Sequence, residues 1–235
     1  MCASKKASGT AFPVRRPLFY YITDRHQLPF ASTEALLEQV KRAVLWGIDF
    51  IQVREKDLSD RDLLRLTTQA VHLARGTACR VLVNGRIDIA LSSGAHGVHL
   101  PSRGIQVADV VPFLPAGFLV GASTHSLREA RQAAEGGADY LLLGPIFPTA
   151  SKITYGKPLG LRCLDRICSL LSLPVFGLGG IRPEGISKVL AAGASGVAGI
   201  SLFQRDLDLF SRDICERSSH RSPIMVCPSC NSRYT

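Results

Sequence analysis

Hydrophobic positions in this chain fall into short continuous apolar runs of three to six residues, separated by longer stretches with helical periodicity. The runs are Leu18 to Thr23, Phe50 to Val53, Val81 to Val83, Gly97 to Leu100, Leu119 to Ala122, Tyr140 to Leu143, Val175 to Leu178 and Gly196 to Ile200. An uninterrupted apolar run marks a strand buried on both faces, as in a parallel sheet, rather than one that alternates between core and water. Between the runs, Leu36, Leu37, Val40, Ala43 and Val44 predict a helix from Thr33 to Trp46, stopped by Gly47. A second helix is expected to begin near Ser59, capped by the hydroxyl with acids in its first turn, and to run to Ala74. Shorter helices are predicted from Ile87 to Ser93, from Leu127 to the Gly136-Gly137 stop, from about Leu161 to Leu171, from Pro183 to Gly193, and after Ser201.

Eight strands in regular alternation with helices, without a long insertion, predict a single (β/α)8 TIM barrel spanning residues 17–217. An open doubly wound sheet is the alternative, and the even spacing argues against it. The length of 235 residues suits one such barrel better than two small domains. Residues 1–16 read as a flexible basic leader. Residues 218–235 read as a disordered tail holding a lone Cys227-Pro228-Ser229-Cys230, which has the spacing of one zinc knuckle but no second pair.

Composition changes this picture little. The formal charge is +9, from 28 Lys and Arg against 19 Asp and Glu. The basic residues are scattered and no basic helix is interleaved with aromatics, so nucleic acid is not an expected partner, whereas small anions are. No run of about 18 apolar residues exists, so no membrane span or membrane partner is expected. The polar start lacks a signal peptide's apolar core, and seven Cys without framework spacing fit a reducing cytoplasm. The oligomeric state is not fixed by the sequence, and a homo-oligomer stays open.

In a barrel of this kind the polar tips at the strand ends converge on one mouth. After strand two, Gln52, Arg54 and Lys56 recur with a period of two, which in extended chain puts them on one face. A guanidinium and an ammonium side by side suit a phosphate or pyrophosphate. The bland alternative is a surface salt-bridge ladder with Glu55 and Asp57, which lie on the other face. Gly179-Gly180 after strand seven and Gly199-Ile200-Ser201 after strand eight match the usual phosphate-binding loops of barrels. His125, at the end of strand five, is a candidate acid/base because imidazole titrates near neutrality. His99 ends strand four but is expected simply to pack, and His26 and His96 are read as surface residues.

The blocks YYITD, IQVREK, NGRIDIA, GVHLP, GASTHS, GADYLLLGPIFPTASK, PVFGLGGI and GVAGIS together resemble the thiamine phosphate synthase/TenI family over Leu18 to Phe203. That resemblance implies the barrel and an enzyme of thiamine biosynthesis. By matching position it implies that Gln52, Arg54, Lys56, Asn84, Ser123 and Lys152 contact a pyrophosphate or pyrimidine. Thr149 and Ser151, with Gly180 and Ser201, would hold a thiazole phosphate. The synthase pattern also carries two aspartates that bind Mg²⁺, and here those positions read Gly85 and Gly104. Glycine offers no hard oxygen ligand, so no metal and no cofactor are expected unless the chain is a synthase, which would call for Mg²⁺. The NGR…HLPS pattern resembles the TenI branch, and the leading expectation is therefore a metal-independent thiazole tautomerase that aromatises a carboxylated thiazole phosphate with His125 as acid/base. The alternative is thiamine phosphate synthase, joining hydroxymethylpyrimidine pyrophosphate to thiazole phosphate, in keeping with the intact GPIFPTASK block. A non-catalytic thiazole phosphate-binding barrel is the third reading.

Overall fold

A computed structural model describes residues 17–149 and 157–205. Ser151, Lys152, the basic leader and the Cys227/Cys230 tail lie outside the described residues. The eight strands are β1 (Leu18–Ile22), β2 (Phe50–Val53), β3 (Arg80–Asn84), β4 (Gly97–Leu100), β5 (Leu119–Thr124), β6 (Tyr140–Leu143), β7 (Val175–Leu178) and β8 (Gly196–Gly199). Each pairs in parallel with its neighbours in sequence, and β8 pairs with β1, so the sheet closes. The expected (β/α)8 barrel is the fold observed. The helices are α1 (Thr33–Leu45), α2 (Asp60–Ala74), α3 (Ile87–Ser92), α4 (Val107–Val110), α5 (Leu127–Glu135), α6 (Gly160–Leu170), α7 (Ile186–Ala191) and α8 (Ser201–Gln204).

The strands bury both faces, as continuous apolar runs require. Outward-facing Ile51, Val53, Val81, Val83, Val98, Val120, Leu141 and Leu143 pack under the helices, meeting Leu36, Val40 and Ala43 of α1 and Leu63, Leu66 and Ala70 of α2. Inward-facing Tyr20, Phe50, Leu82, Tyr140, Leu142 and Phe176 form a second, separate core inside the barrel. Where many barrels fill this space with branched aliphatics, four aromatic rings pack here at centroid distances of 5.5–6.1 Å, Phe50 stacked on both tyrosines and Phe176 edge-on to the other three. Gly121 on β5 makes room for them: a Cβ there would lie 1.9 Å from the Tyr140 ring. At the opposite end of the barrel from the mouth, Asp49 and Asp139 accept the Phe19 and Val120 N–H groups at 2.9 and 2.7 Å. These two carboxylates fasten loops to strand starts and belong to the architecture.

Apart from one-residue shifts at element ends, three local readings differ from expectation. β5 continues past Ala122 to Thr124, because Ser123 and Thr124 still pair with Leu142 and Leu143 of β6. α4 was not anticipated, since one turn of four residues leaves too short a periodic signal in the sequence. The segment opened by Pro183 starts as a 3₁₀ turn and becomes α-helical only at Ile186.

Candidate active site

The side chains expected to gather at the mouth divide into an interior chain, a set of cations and a histidine clamp. The interior chain is not legible in the sequence. Gln52 is buried in the barrel, where its Oε1 accepts the Tyr20 hydroxyl at 3.0 Å and its Nε2 donates to Asn84 Oδ1 at 2.9 Å. Tyr20 and Tyr140 share a 2.9 Å bond between their hydroxyls. His99 Nδ1 lies 3.2 Å from the Tyr140 hydroxyl, and His99 Nε2 lies 2.8 Å from Ser123 Oγ. Six side chains from six strands are thereby joined, with Asn84 and Ser123 at the two ends. Burial favours the neutral imidazole and pulls the His99 pKa down to about 3. His99 therefore does more than pack, which corrects its reading from sequence. The missed signal is Tyr20 and Tyr140: two hydroxyls placed inside a barrel have to find partners there.

Arg54 and Lys56 follow the last residue of β2, so the strand alternation that would align them with Gln52 stops at Val53. Arg54 is half-buried and Lys56 exposed. No hydrogen bond or ion pair among the described residues occupies either side chain. The neighbouring acids have other partners. Glu55 is buried and accepts Thr23 Oγ1 at 2.7 Å and the Arg25 guanidinium at 3.1 Å. Asp57 takes both ends of the Arg25 guanidinium, at 2.7 and 2.6 Å, and the His26 ring at 2.9 Å. The salt-bridge ladder with Arg54 and Lys56 is thus absent among the described residues, which leaves two cations at the mouth with charge to offer an anion.

The Arg25 and His26 bonds hold the Asp57 carboxyl well below its ordinary range. A folded-state pKa below the unfolded one adds stability above the unfolded pKa and loses it as pH falls. Stability should therefore drop progressively as pH falls below about 4, and Asp57→Asn should flatten that part of the curve; urea midpoints measured across the range check it.

His125 follows β5, immediately before the Ser126 cap of α5, whose hydroxyl accepts the Glu129 N–H at 3.2 Å. Glu129 returns a carboxylate oxygen to the His125 N–H at 2.8 Å. The His125 Nδ1 bonds the Gly144 carbonyl at the end of β6. A carbonyl only accepts, so Nδ1 carries the proton, and in the neutral ring Nε2 is left as the base. His96, read as a surface residue, is half-buried and its Nδ1 accepts the Val81 N–H at 3.0 Å.

On the far side of the mouth, Gly179 and Gly180 both have positive φ, of 94° and 67°. A Cβ on Gly180 would lie 2.5 Å from the Pro148 carbonyl oxygen, so the loops after β6 and β7 meet through glycine alone. Ser201 is exposed at the start of α8, after β8, the strand next to β7, and Thr149 is half-buried at the edge of the described residues.

Gly85, with φ of 67°, and Gly104 converge on one proline. A Cβ on the first would lie 3.6 Å from Pro101 Cδ, and on the second 3.4 Å from the same atom. The two positions thus sit close enough for side chains there to share one ion, and neither has a side chain. The nearby acids Asp60 and Asp88 are taken by Arg86, at 2.5 and 2.6 Å. Among the described residues no group of three or more His, Cys, Asp or Glu could hold a metal. The residues present do not fit Mg²⁺ at this place.

Residues 19–203 match the family model described as thiamine monophosphate synthase. The chain belongs to that family. Family members are enzymes of thiamine biosynthesis, and the similarity runs through the whole barrel. Over 189 residues the chain is 43% identical to a putative thiamine-phosphate synthase of Geobacter sulfurreducens, covering 80% of this chain and 87% of the relative. It is 42% identical over 159 residues to the thiamine-phosphate synthase of Methanoculleus marisnigri, covering 68% and 75%. Among solved structures, thiamine phosphate pyrophosphorylase from Pyrococcus furiosus superposes with a TM-score of 0.73 at 31% identity, covering 85% of this chain and 96% of that one. Among the described residues, no helix is long and apolar enough to cross a membrane.

Proposed function

We propose that the chain catalyses the coupling reaction for which its relatives are named, joining hydroxymethylpyrimidine pyrophosphate to a thiazole phosphate to give thiamine phosphate. The relatives' names favour this reading over the tautomerase that the NGR…HLPS pattern implies. The observation that carries it is the pair of cations after β2, Arg54 and Lys56, which no acid among the described residues occupies. In the reaction the methylene C–O bond breaks and pyrophosphate leaves with the electron pair. The thiazole nitrogen then donates its lone pair to the pyrimidine-stabilised cation, closing the C–N bond. Negative charge grows on the leaving oxygens, and fixed cations aimed at it lower the barrier without reorganising. Arg54 and Lys56, with Lys152, would take that role. Gly180 and Ser201, with Thr149 and Ser151, would hold the thiazole phosphate. Mg²⁺ is not assigned a place in this scheme.

A second reading, thiazole tautomerase, is favoured by one specific observation: Gly85 and Gly104 leave the metal position without ligands, while His125 is held with Nε2 as a base. A proton taken from one ring carbon and returned to another needs that base and anion clamps only. One experiment separates the two. Purified protein is given both coupling substrates, with and without Mg²⁺, and in parallel the dearomatised thiazole carboxylate phosphate, alongside His125→Asn. Thiamine phosphate should form; its absence under both conditions would overturn the coupling reading. Aromatisation that His125→Asn abolishes would put the second reading in its place.

A further inference from the structure

With Gln52 Oε1 turned to Tyr20 and its Nε2 to Asn84, the five hydrogen bonds inside the barrel run in one direction. Tyr20 has a single proton and gives it to Gln52 Oε1. The bond between the two tyrosines must then use the Tyr140 proton. With that proton spent, the Tyr140 oxygen can only accept from His99, so His99 Nδ1 carries hydrogen. The ring is buried among Tyr20 and Tyr140, at centroid distances of 6.4 and 5.8 Å, and burial keeps it neutral. A neutral imidazole protonated on Nδ1 has a bare Nε2, and the atom facing it at 2.8 Å is Ser123 Oγ. The serine proton therefore points inward. At the other end, Gln52 Nε2 donates to Asn84 Oδ1, which leaves the Asn84 amide N–H groups for the mouth.

We propose that His99 is a positioning residue: locked in its Nδ1–H form by the two buried tyrosines, it draws the Ser123 hydroxyl proton into the barrel, so that Ser123 meets the ligand only as a hydrogen-bond acceptor while Asn84 meets it as a donor. The mouth is thereby polarised. It selects a heterocycle with a lone pair over Asn84 and an N–H or O–H over Ser123, and it rejects the reversed pattern by facing acceptor with acceptor and donor with donor. A site built to read a hydrogen-bonding edge discriminates strongly, because a mismatch leaves buried polar groups unpaired. The inference rests on the proposed function only in taking the mouth as the place where substrate binds.

The ¹⁵N resonances of His99 in the full-length, ligand-free protein, assigned by through-bond correlation, test the proposal without any assay. A protonated Nδ1, a bare Nε2 and no titration between about pH 5 and pH 8 are expected. An Nε2–H form, or a ring that titrates in that range, would overturn it. Tyr140→Phe removes the acceptor of the Nδ1 proton and should mix the two ring forms; an unchanged ring would overturn the tyrosine's part. In the coupling assay, His99→Asn and Ser123→Ala should each lower kcat/KM about tenfold to a hundredfold, and the double variant should lose no more than the worse single one. Losses that multiply would overturn the action of His99 through Ser123. If the ring is as expected and no thiamine phosphate forms, the coupling reading fails and the polarity of the mouth stands.

Discussion

Gly121→Ala should cost this protein about 3 kcal/mol of stability or more, at the upper end of what overpacking a core does. The added Cβ would fall 1.9 Å from Cζ of Tyr140, 2.2 Å from its hydroxyl oxygen and 2.4 Å from a ring carbon. Tyr140 has nowhere to go. Its ring is fully buried and packs on Phe50, Phe176, Tyr20 and His99, and its hydroxyl bonds Tyr20 and His99. Displacing it breaks the interior hydrogen-bond chain, and each buried polar atom left without a partner adds about 1–3 kcal/mol. Against a typical total of about 5–15 kcal/mol, that is a large share. A glycine in open space supplies the control. Gly47 has φ of 81° and nothing within 4 Å of its added Cβ, so alanine there carries backbone strain alone, about 1 kcal/mol. Urea unfolding of both variants checks the prediction. Equal midpoints would show that the tyrosine can move aside, and with it that the interior is looser than its geometry implies.

The same glycine explains what could be read from the sequence and what could not. Eight apolar runs with helices between them point to the barrel because each run must bury both faces, and the order of neighbouring strands then follows from closure. The positions of His125 and of the Gly179-Gly180 turn follow as well, since they come directly after strands. The interior chain does not follow. Gly121, Tyr140, His99 and Tyr20 come from four different strands, and period-two alternation says only that each faces inward. Which of them touch depends on the stagger between strands, which no local pattern encodes. His99 was read as packing for that reason. Its partners lie 24 and 41 residues away. Glu55 shows the reverse case. From sequence it could only be placed opposite Arg54, yet the loop after β1 brings Arg25 and Thr23 to it from thirty or more residues away. The convergence of Gly85 and Gly104 on Pro101 is likewise a property of two loops meeting, although the loss of carboxylates at both was visible in the sequence itself.

Arg54→Ala should lower kcat/KM for the coupling reaction by roughly 10²-fold, about 3 kcal/mol of transition-state stabilisation, which is the scale of a charge-assisted contact made as charge develops. The cations near the mouth are not equivalent. Arg25 is spent on Glu55 and Asp57, and Arg86, beside Gly85, is spent on Asp60 and Asp88. Arg54 and Lys56 have no such acids among the described residues. Arg54 is the more buried of the two, so water screens it less, and its loss should exceed the roughly tenfold effect expected for Lys56→Ala. Arg54→Lys should recover only part of the activity, because an ammonium cannot reproduce the planar two-point grip of a guanidinium on phosphate oxygens. Arg86→Ala is the informative comparison. It removes the same charge from the same rim, but from a side chain whose hydrogen bonds are already committed, so its effect on kcat/KM should stay below the roughly tenfold loss of Lys56→Ala. Under the proposed coupling reaction, with glycines at 85 and 104, the positive charge facing a leaving pyrophosphate would come from side chains, and the ranking of Arg54 above Lys56 above Arg86 should hold whether or not Mg²⁺ is added. Steady-state rates at low and high ionic strength complete the test: salt should weaken the wild type more than Arg54→Ala. Equal losses for Arg54→Ala and Arg86→Ala would mean that net charge at the rim matters and the free guanidinium does not.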